Sequence, residues 1–181
     1  TVELIVIHLN NGEPVTVVVE RGVIPLDSVS FTMLNNAVGH LRIFNFADNT
    51  NDEVAAALNE FKGSEGIGLV VDLRNNGGGS LLEVNKLVSL FINRGPTVQV
   101  RESSGRVSIE GDKFPGVLYA GPMAVMVNRF SASASEIFAG AMQDYGRALI
   151  VGDQTYGKGT VQTLLDLNHG KLKMTNAKFY R

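Results

Sequence analysis

Within the run Asn128–Gln162, NRFSASASEIFAGAMQDYGRALIVGDQTYGKGTVQ, a serine and a lysine stand where they could form a nucleophile and its base. Ser133 lies in the middle of alternating Ser and Ala residues, just after the apolar stretch Ala124 to Val127, and Lys158 lies between two glycines. A serine hydroxyl attacks poorly until a neighbouring base accepts its proton. The usual base is histidine, and the chain has three, His8, His40 and His169. The first sits in a Val/Ile-rich strand pattern, the second in a short strand-like run and the third in an Asn-His-Gly turn, none with an obvious companion acid and serine. A lysine takes the role where burial disfavours its charged form. Around Lys158 there is no acid until Asp153 on one side and Asp166 on the other, and the flanking glycines let the backbone pack closely and aim one long side chain inward. Lys158 is therefore expected to be largely buried, free of a carboxylate partner, and within about 2.6–3.2 Å of the Ser133 hydroxyl in an assembled site.

The same residues have plainer readings. Ser133-Ala-Ser-Glu136 is a capping box, Ser at a helix start and Glu three residues on, and Gly157-Lys-Gly159 could be a solvated loop. Capping and nucleophilic attack are compatible, because a helix N-terminus presents free N–H groups and a positive dipole end to a developing oxyanion. A second loop, Arg74-Asn-Asn-Gly-Gly-Gly79, also lets backbone N–H groups approach a ligand. It lacks the Gly-Lys-Ser/Thr of a phosphate loop and the glycine spacing of a dinucleotide fingerprint, and a plain tight turn is the other reading. Asp144, near the end of the helix after Ser133, could tie down a neighbouring loop or be a solvated acid at an unfavourable helix end.

Taken in order, Ser131-Ala-Ser-Ala-Ser-Glu136, Gln143-Asp144 and Gly157-Lys-Gly-Thr-Val-Gln162 resemble the C-terminal processing peptidases, S41-type Ser–Lys serine proteases, and most of all their bacterial tail-specific branch. The resemblance covers most of the chain, with departures at both ends. It implies that Ser133 is the nucleophile, that Lys158 is the base and that Gln162 orients the lysine. It also implies an oxyanion hole from the backbone N–H groups of Gly79, with Gly78 as the fallback, and Ala134. It further implies a crotonase-like ββα core, no metal or organic cofactor, and endopeptidase action near loose, apolar C-terminal tails of protein substrates. An adaptor protein is a possible partner, and the bacterial periplasm the implied compartment. Two other functions are compatible with the residues: a non-catalytic peptide-binding module, and a crotonase-like acyl-CoA enzyme, which would use the two N–H groups without Ser133 or Lys158.

The elements that must position these residues alternate in type. Val2 to His8 and Val15 to Glu20 are β-rich runs around Asn11-Gly12, a hairpin signal. Two strands alone are barely stable, so the hairpin should pack on something. The resemblance makes residues 1–26 the closing part of a PDZ domain and its connector, and 27–181 a catalytic core truncated at its C-terminus. An edge hairpin of the main domain is the alternative. Strands are predicted over Val29 to Leu34 and Val38 to Phe44, with a turn at Asn35-Asn36. Thr50-Asn-Asp-Glu53 should box the start of a helix carrying Val54, Leu58 and Phe61 on one face. Ile67 to Leu73 reads as a strand buried on both faces, and Ser80-Leu-Leu-Glu83 should cap the helix with Leu87, Val88 and Phe91. Val98 to Arg101 and Val107 to Glu110 read as a hairpin arm that could cover the site. Strands Ala148 to Val151 and Val161 to Leu167 follow, and Asn168-His-Gly170 turns into Lys171 to Tyr180. Alternating strands and helices argue an α/β fold with a parallel or mixed sheet. Because ordering three glycines is entropically unfavourable, the loop from Asn75 to Gly79 is expected to be misaligned or mobile without support from outside the core.

Composition bounds the rest. The 181 residues suffice for one core or a core plus a small appendage, and 44% hydrophobic with 19% charged is ordinary for a globular protein. A net charge of −2 gives no reason to expect nucleic acid or an anionic membrane surface. No apolar run reaches membrane-spanning length. The absence of cysteine excludes disulfides and thiolate zinc sites. The chain opens at Thr1 within a strand pattern and without an initiator Met, which suggests a fragment.

Overall fold

Residues Gly68–Asp72 form the centre of the molecule for a local reason: Leu69 and Val71 point to opposite faces from Val70 and Asp72, and all but Gly68 and Val70 are buried. The structure, a computed structural model, describes residues 1–9, 12–22, 27–35, 37–111 and 116–181. The elements run β1 (Val2–Ile7), β2 (Pro14–Val19), β3 (Val29–Leu34), β4 (Val38–Ile43), α1 (Thr50–Lys62), β5 (Gly68–Asp72), α2 (Leu81–Ser89), β6 (Pro96–Glu102), β7 (Val107–Gly111), β8 (Met123–Val127), α3 (Ala134–Asp144), β9 (Leu149–Gly152), β10 (Thr160–Asp166) and β11 (Lys171–Tyr180). A five-stranded sheet has the order β3-β4-β5-β8-β9, with β3–β4 antiparallel and the other neighbours parallel. A four-stranded antiparallel sheet has the order β10-β11-β6-β7. The fold is thus α/β with mixed sheets.

The parallel run decides where chemistry can occur. Because β5, β8 and β9 are parallel neighbours, their C-terminal ends lie at one edge of the sheet, and the loops that leave them emerge side by side. Those loops are the three-glycine loop, the serine run and the lysine loop. Helix α3 packs against α2, β6 and β9, so it lies where the two larger sheets meet. Phe91, just beyond α2, meets Phe138 of α3 edge-on at 5.7 Å, and Val54, Leu58 and Phe61 bury one face of α1.

Several expectations change. Thr50-x-x-Glu53 does mark a helix start, but it is not a capping box. Asn49 is the N-cap, Thr50 is buried and donates to Ser28 Oγ at 2.9 Å, and the Glu53 carboxylate accepts from the Ser28 hydroxyl at 2.6 Å. A buried Ser28 needs those partners more than the helix end does. Ser80 caps α2 as expected, accepting from Glu83 N–H at 3.3 Å. The arm β6–β7 does not cover the loops: it is one side of the four-stranded sheet, and β10–β11 is the hairpin that adjoins the site.

The hairpin β1–β2 pairs from Val2↔Val19 to Ile7↔Pro14 as a separate two-stranded sheet, so it is not an edge of either larger one. Its strands are exposed on both faces, Ile5 at 75% and Val18 at 60%. Asn11 of the Asn-Gly signal, Asn36 of the predicted Asn-Asn turn, and Val23 to Leu26 of the connector lie outside the described residues. No helix among the described residues is long and apolar enough to cross a membrane.

Candidate active site

The backbone at Ser133 is held in a conformation that side chains avoid, φ +58° and ψ −114°. Of the described non-glycine residues only Asn35, Asn75 and Ser133 have positive φ, and asparagine tolerates that region where serine ordinarily does not. Strain of this kind persists only when its surroundings enforce it. Here the enforcement comes from both flanks. Ser131 Oγ donates to Leu73 O at 2.7 Å, and Ser135 Oγ donates to Asn76 O at 2.9 Å. Both flanking serines are fully buried. Ser133 alone of the three presents its side chain to a cavity, and its hydroxyl donates to no acceptor among the described residues; at most it receives the Glu136 N–H as a helix cap. The N-terminal end of α3 closes through the other half of a capping box, with Ser133 N–H donating to Glu136 Oε2 at 2.7 Å.

That cavity, about 540 Å³, gathers Ser133, Ala134, Gly78, Gly79, Lys158 and Gln162. The Gly79 and Ala134 N–H groups have no acceptor among the described residues. The Gly78 N–H, in contrast, donates to Asn76 Oδ1 at 2.9 Å, so it is not a free donor and the fallback assignment fails. Gly78 has a different requirement. At φ +102° a Cβ there would lie 2.7 Å from Ser133 Cβ and 2.9 Å from Ala134 N, so only glycine lets the two loops touch.

The three-glycine loop is braced from within, contrary to the expectation that it needs outside support. Asn76 is fully buried. Its Nδ2 donates to Ile43 O at 2.8 Å, and its carbonyl accepts from Ala132 N–H at 3.0 Å. Beyond it, Phe46 N–H donates to Gly78 O at 3.1 Å and Ser80 N–H to Phe46 O at 2.8 Å, a bridge that fastens the loop beside Phe46. One buried amide thus replaces the missing side chains of three glycines. Asn76→Ala should lower unfolding free energy by about 2 kcal/mol, because two backbone partners would be left unpaired; a urea titration reads it, and an unchanged midpoint would mean the loop is held by other means.

Lys158 is half-buried, less than expected, because its loop runs along the open rim of the cavity. No ion pair involves it among the described residues. Three acids near it in the sequence or on the preceding helix have other cations: Asp153 faces Arg129 at 3.7 Å, Asp166 faces Lys171 at 2.9 Å, and Asp144 accepts from Arg181 Nε at 3.0 Å. No hydrogen bond joins Ser133 Oγ to Lys158 Nζ, so the two share the cavity without the close contact expected of an assembled pair. No hydrogen bond joins Gln162 to the lysine either. A bulge between Val161 and Gln162 and the cross-strand register Gln162↔Thr175 bring its amide to Thr175 Oγ1 at 3.4 Å. Asp144 lies away from the cavity, its carboxyl held below the usual range by the Arg181 hydrogen bonds.

In the sequence Glu136 is only the second member of a capping box, yet it joins the two halves of the site. Its Oε2 accepts from Ser133 N–H and, at 3.1 Å, from Lys158 N–H. Its Oε1 accepts from Gly157 N–H at 2.6 Å and from Thr155 Oγ1 at 2.9 Å. Tyr156 N–H adds a bond to Ser131 O at 3.0 Å. Four donors on one carboxylate fix the lysine loop against the serine turn. Nothing in the local pattern separates such a Glu from an ordinary cap. At the end of β5, buried Asp72 has the same bracing character. Burial pushes its carboxyl up, but hydrogen bonds from Arg74 outweigh that and hold it at about 2, with His40 Nε2 at 3.3 Å on the other side.

Chemically, a free hydroxyl on a strained turn, an uncommitted amine and two unpaired N–H groups in one cavity suit attack on a carbonyl with stabilisation of the resulting oxyanion. Residues 37–181 match the model of peptidase family S41. The chain is 44% identical over 150 residues to the tail-specific protease of Haemophilus influenzae, covering 78% of this chain and 22% of that protein. It is 34% identical over 168 residues to the chloroplastic C-terminal processing peptidase of Tetradesmus obliquus, covering 86% and 36%. Among solved structures, a photosystem II D1 C-terminal processing protease superposes with a TM-score of 0.74 at 33% identity, over 92% of this chain and 47% of that one. The chain therefore spans less than half the length of these relatives. Family model, sequence identity and superposition agree, and the chain belongs to peptidase family S41.

Proposed function

We propose that this chain carries the catalytic core of a C-terminal processing, tail-specific serine endopeptidase. The observation that carries the reading is the contrast among three neighbouring serines: Ser131 and Ser135 are spent on backbone carbonyls, and only Ser133 offers a hydroxyl to the cavity that also holds Lys158. Neutral Lys158 takes the Ser133 proton as Oγ bonds to the peptide carbonyl carbon. The N–H groups of Gly79 and Ala134 receive the oxyanion. The C–N bond then breaks, Lys158 returns the proton to the leaving amine, and water hydrolyses the acyl ester by the reverse sequence. Substrate binding must draw Lys158 towards Ser133, and Gln162 must leave Thr175 before it can orient the amine. Gly78 permits the close approach of the loops, and Asp144 supports the site from a distance by holding Arg181.

On this reading residues 27–181 are a crotonase-like core, and residues 1–26 close a PDZ domain; the exposed apolar faces of β1–β2 suit a hairpin that belongs to another unit. Substrates are proteins with unstructured, apolar C-terminal tails, with an adaptor as a possible further partner. On this reading the compartment is the bacterial periplasm. A fluorophosphonate probe tests the reading against its rivals. It should label Ser133 at a rate that Lys158→Ala lowers on the order of a hundredfold, the scale of a lost general base. A peptide-binding module or an acyl-CoA enzyme would show no labelling.

A further inference from the structure

The cavity at Ser133 is lined by two charged side chains, Lys158 and Lys173, and by no carboxylate among the described residues. Lys173 lies on β11, where alternate residues share a face. On that face the hairpin makes three successive cross-strand pairs, Gln162↔Thr175, Leu164↔Lys173 and Asp166↔Lys171. The outermost lysine is neutralised, Lys171 Nζ standing 2.9 Å from Asp166. Lys173, one pair nearer the serine, faces Leu164 instead, and no ion pair involves it among the described residues. The nearest carboxylate, Glu136, is turned to the backbone N–H groups of Ser133, Gly157 and Lys158 and does not line the cavity, so the unpaired cation beside two free N–H groups favours negative charge there. The only anionic groups of an unmodified polypeptide are its Asp and Glu side chains and its terminal carboxylate.

We propose that Lys173 is a specificity-determining residue, which receives a substrate carboxylate close to the scissile bond. This rests on the peptidase reading of the same cavity and divides its lysines: Lys158 serves as the neutral base, and Lys173 remains the ammonium that selects the segment to be cut. The partner Leu164, 62% exposed, offers apolar contact beside that ammonium, so the subsite fits a carboxylate next to an aliphatic side chain.

The test measures binding without turnover, using the chain with Ser133→Ala and apolar ten-residue peptides carrying an uncharged dansyl label at the N-terminus. One peptide ends in a free carboxylate, one in an amide, and one carries an amide and a single internal Glu. At least one carboxylate-bearing peptide should bind about tenfold more tightly than the neutral amide, as expected for a charge-assisted hydrogen bond. The peptide that does so identifies the source as terminal or side-chain. Lys173→Met should remove the gap, and Lys173→Glu should reverse it in favour of a peptide with an internal Lys. Both variants should keep the parent thermal midpoint, since Lys173 is exposed and unpaired. Equal binding of all three peptides to the parent, no measurable binding, or a gap that survives in Lys173→Met overturns the proposal. Cleavage by the chain with Ser133 intact is scored separately. Binding selectivity without cleavage would sink the peptidase reading and leave Lys173 as an anion site, and cleavage without selectivity would do the reverse.

Discussion

Replacing Ser133 by Ala is expected to reduce peptide cleavage on the order of a thousandfold or more, the range seen when an acyl-transfer nucleophile is removed. The informative comparison is with its neighbours. Ser131→Ala removes a donor to Leu73 O and an acceptor for Asn128 N–H, and Ser135→Ala removes a donor to Asn76 O. Each should lower stability by about 1–2 kcal/mol, the cost of a buried hydrogen bond whose partner is left unpaired, while changing turnover of the folded protein only a few-fold. The three variants thus separate along two axes, rate for Ser133 and stability for the flanking pair. Cleavage assayed well below each variant's melting temperature distinguishes them. Full activity in Ser133→Ala would remove the nucleophile assignment. A loss in Ser131→Ala equal to that in Ser133→Ala, with the fold intact, would move it.

Glu136→Gln should have the second largest effect, although Glu136 is not placed to touch substrate. Its two oxygens accept from four donors, three of them on the lysine loop at Thr155, Gly157 and Lys158. Glutamine keeps the volume but turns one acceptor oxygen into an NH₂ donor facing other donors. With the NH₂ in place of Oε2 the bonds from Ser133 and Lys158 are lost; in place of Oε1 the bond from Gly157 is lost, while the Thr155 hydroxyl can turn to accept. The lysine loop would then sit in a slightly different place relative to the serine turn, and misplacement of about 1 Å lowers rates on the order of a hundredfold. The expected signature of a positioning residue is a fall in kcat with KM nearly unchanged. Labelling of Ser133 by the fluorophosphonate should also slow, in step with kcat. A rise in KM alone would mean that Glu136 shapes the substrate groove. Unchanged kinetics would mean that the loop is held by Tyr156 N–H on Ser131 O and needs no carboxylate.

These two residues also mark how far the sequence reaches. The strand Gly68–Asp72, the amphipathic helix Thr50–Lys62 and the helix after Ser133 are legible because hydrophobic period and burial coincide within a few residues. The order of the serine run, the lysine between glycines and Gln162 is likewise written in the chain, and with it the resemblance to the C-terminal processing peptidases. What the sequence by itself determined is therefore which elements form and which residue types arrive at the ends of β5, β8 and β9.

Which of those residues are free to react was decided by tertiary contacts. Ser131, Ser133 and Ser135 are chemically identical in the sequence, and they differ because Leu73 O and Asn76 O, from more than fifty residues away, occupy two of the hydroxyls. Glu136 looks like one end of a capping box because its other three donors come from residues 155–158, which no local pattern brings near it. Asn76 looks like part of a loose glycine loop until Ile43 O and the serine turn supply its partners. Gln162 turns to Thr175 rather than to Lys158 because a one-residue bulge sets the cross-strand register. Periodicity determines elements, since it depends on residues that are neighbours in the chain. The pairing of buried polar groups depends on which loops the parallel sheet brings side by side, and that is fixed only when the chain has folded.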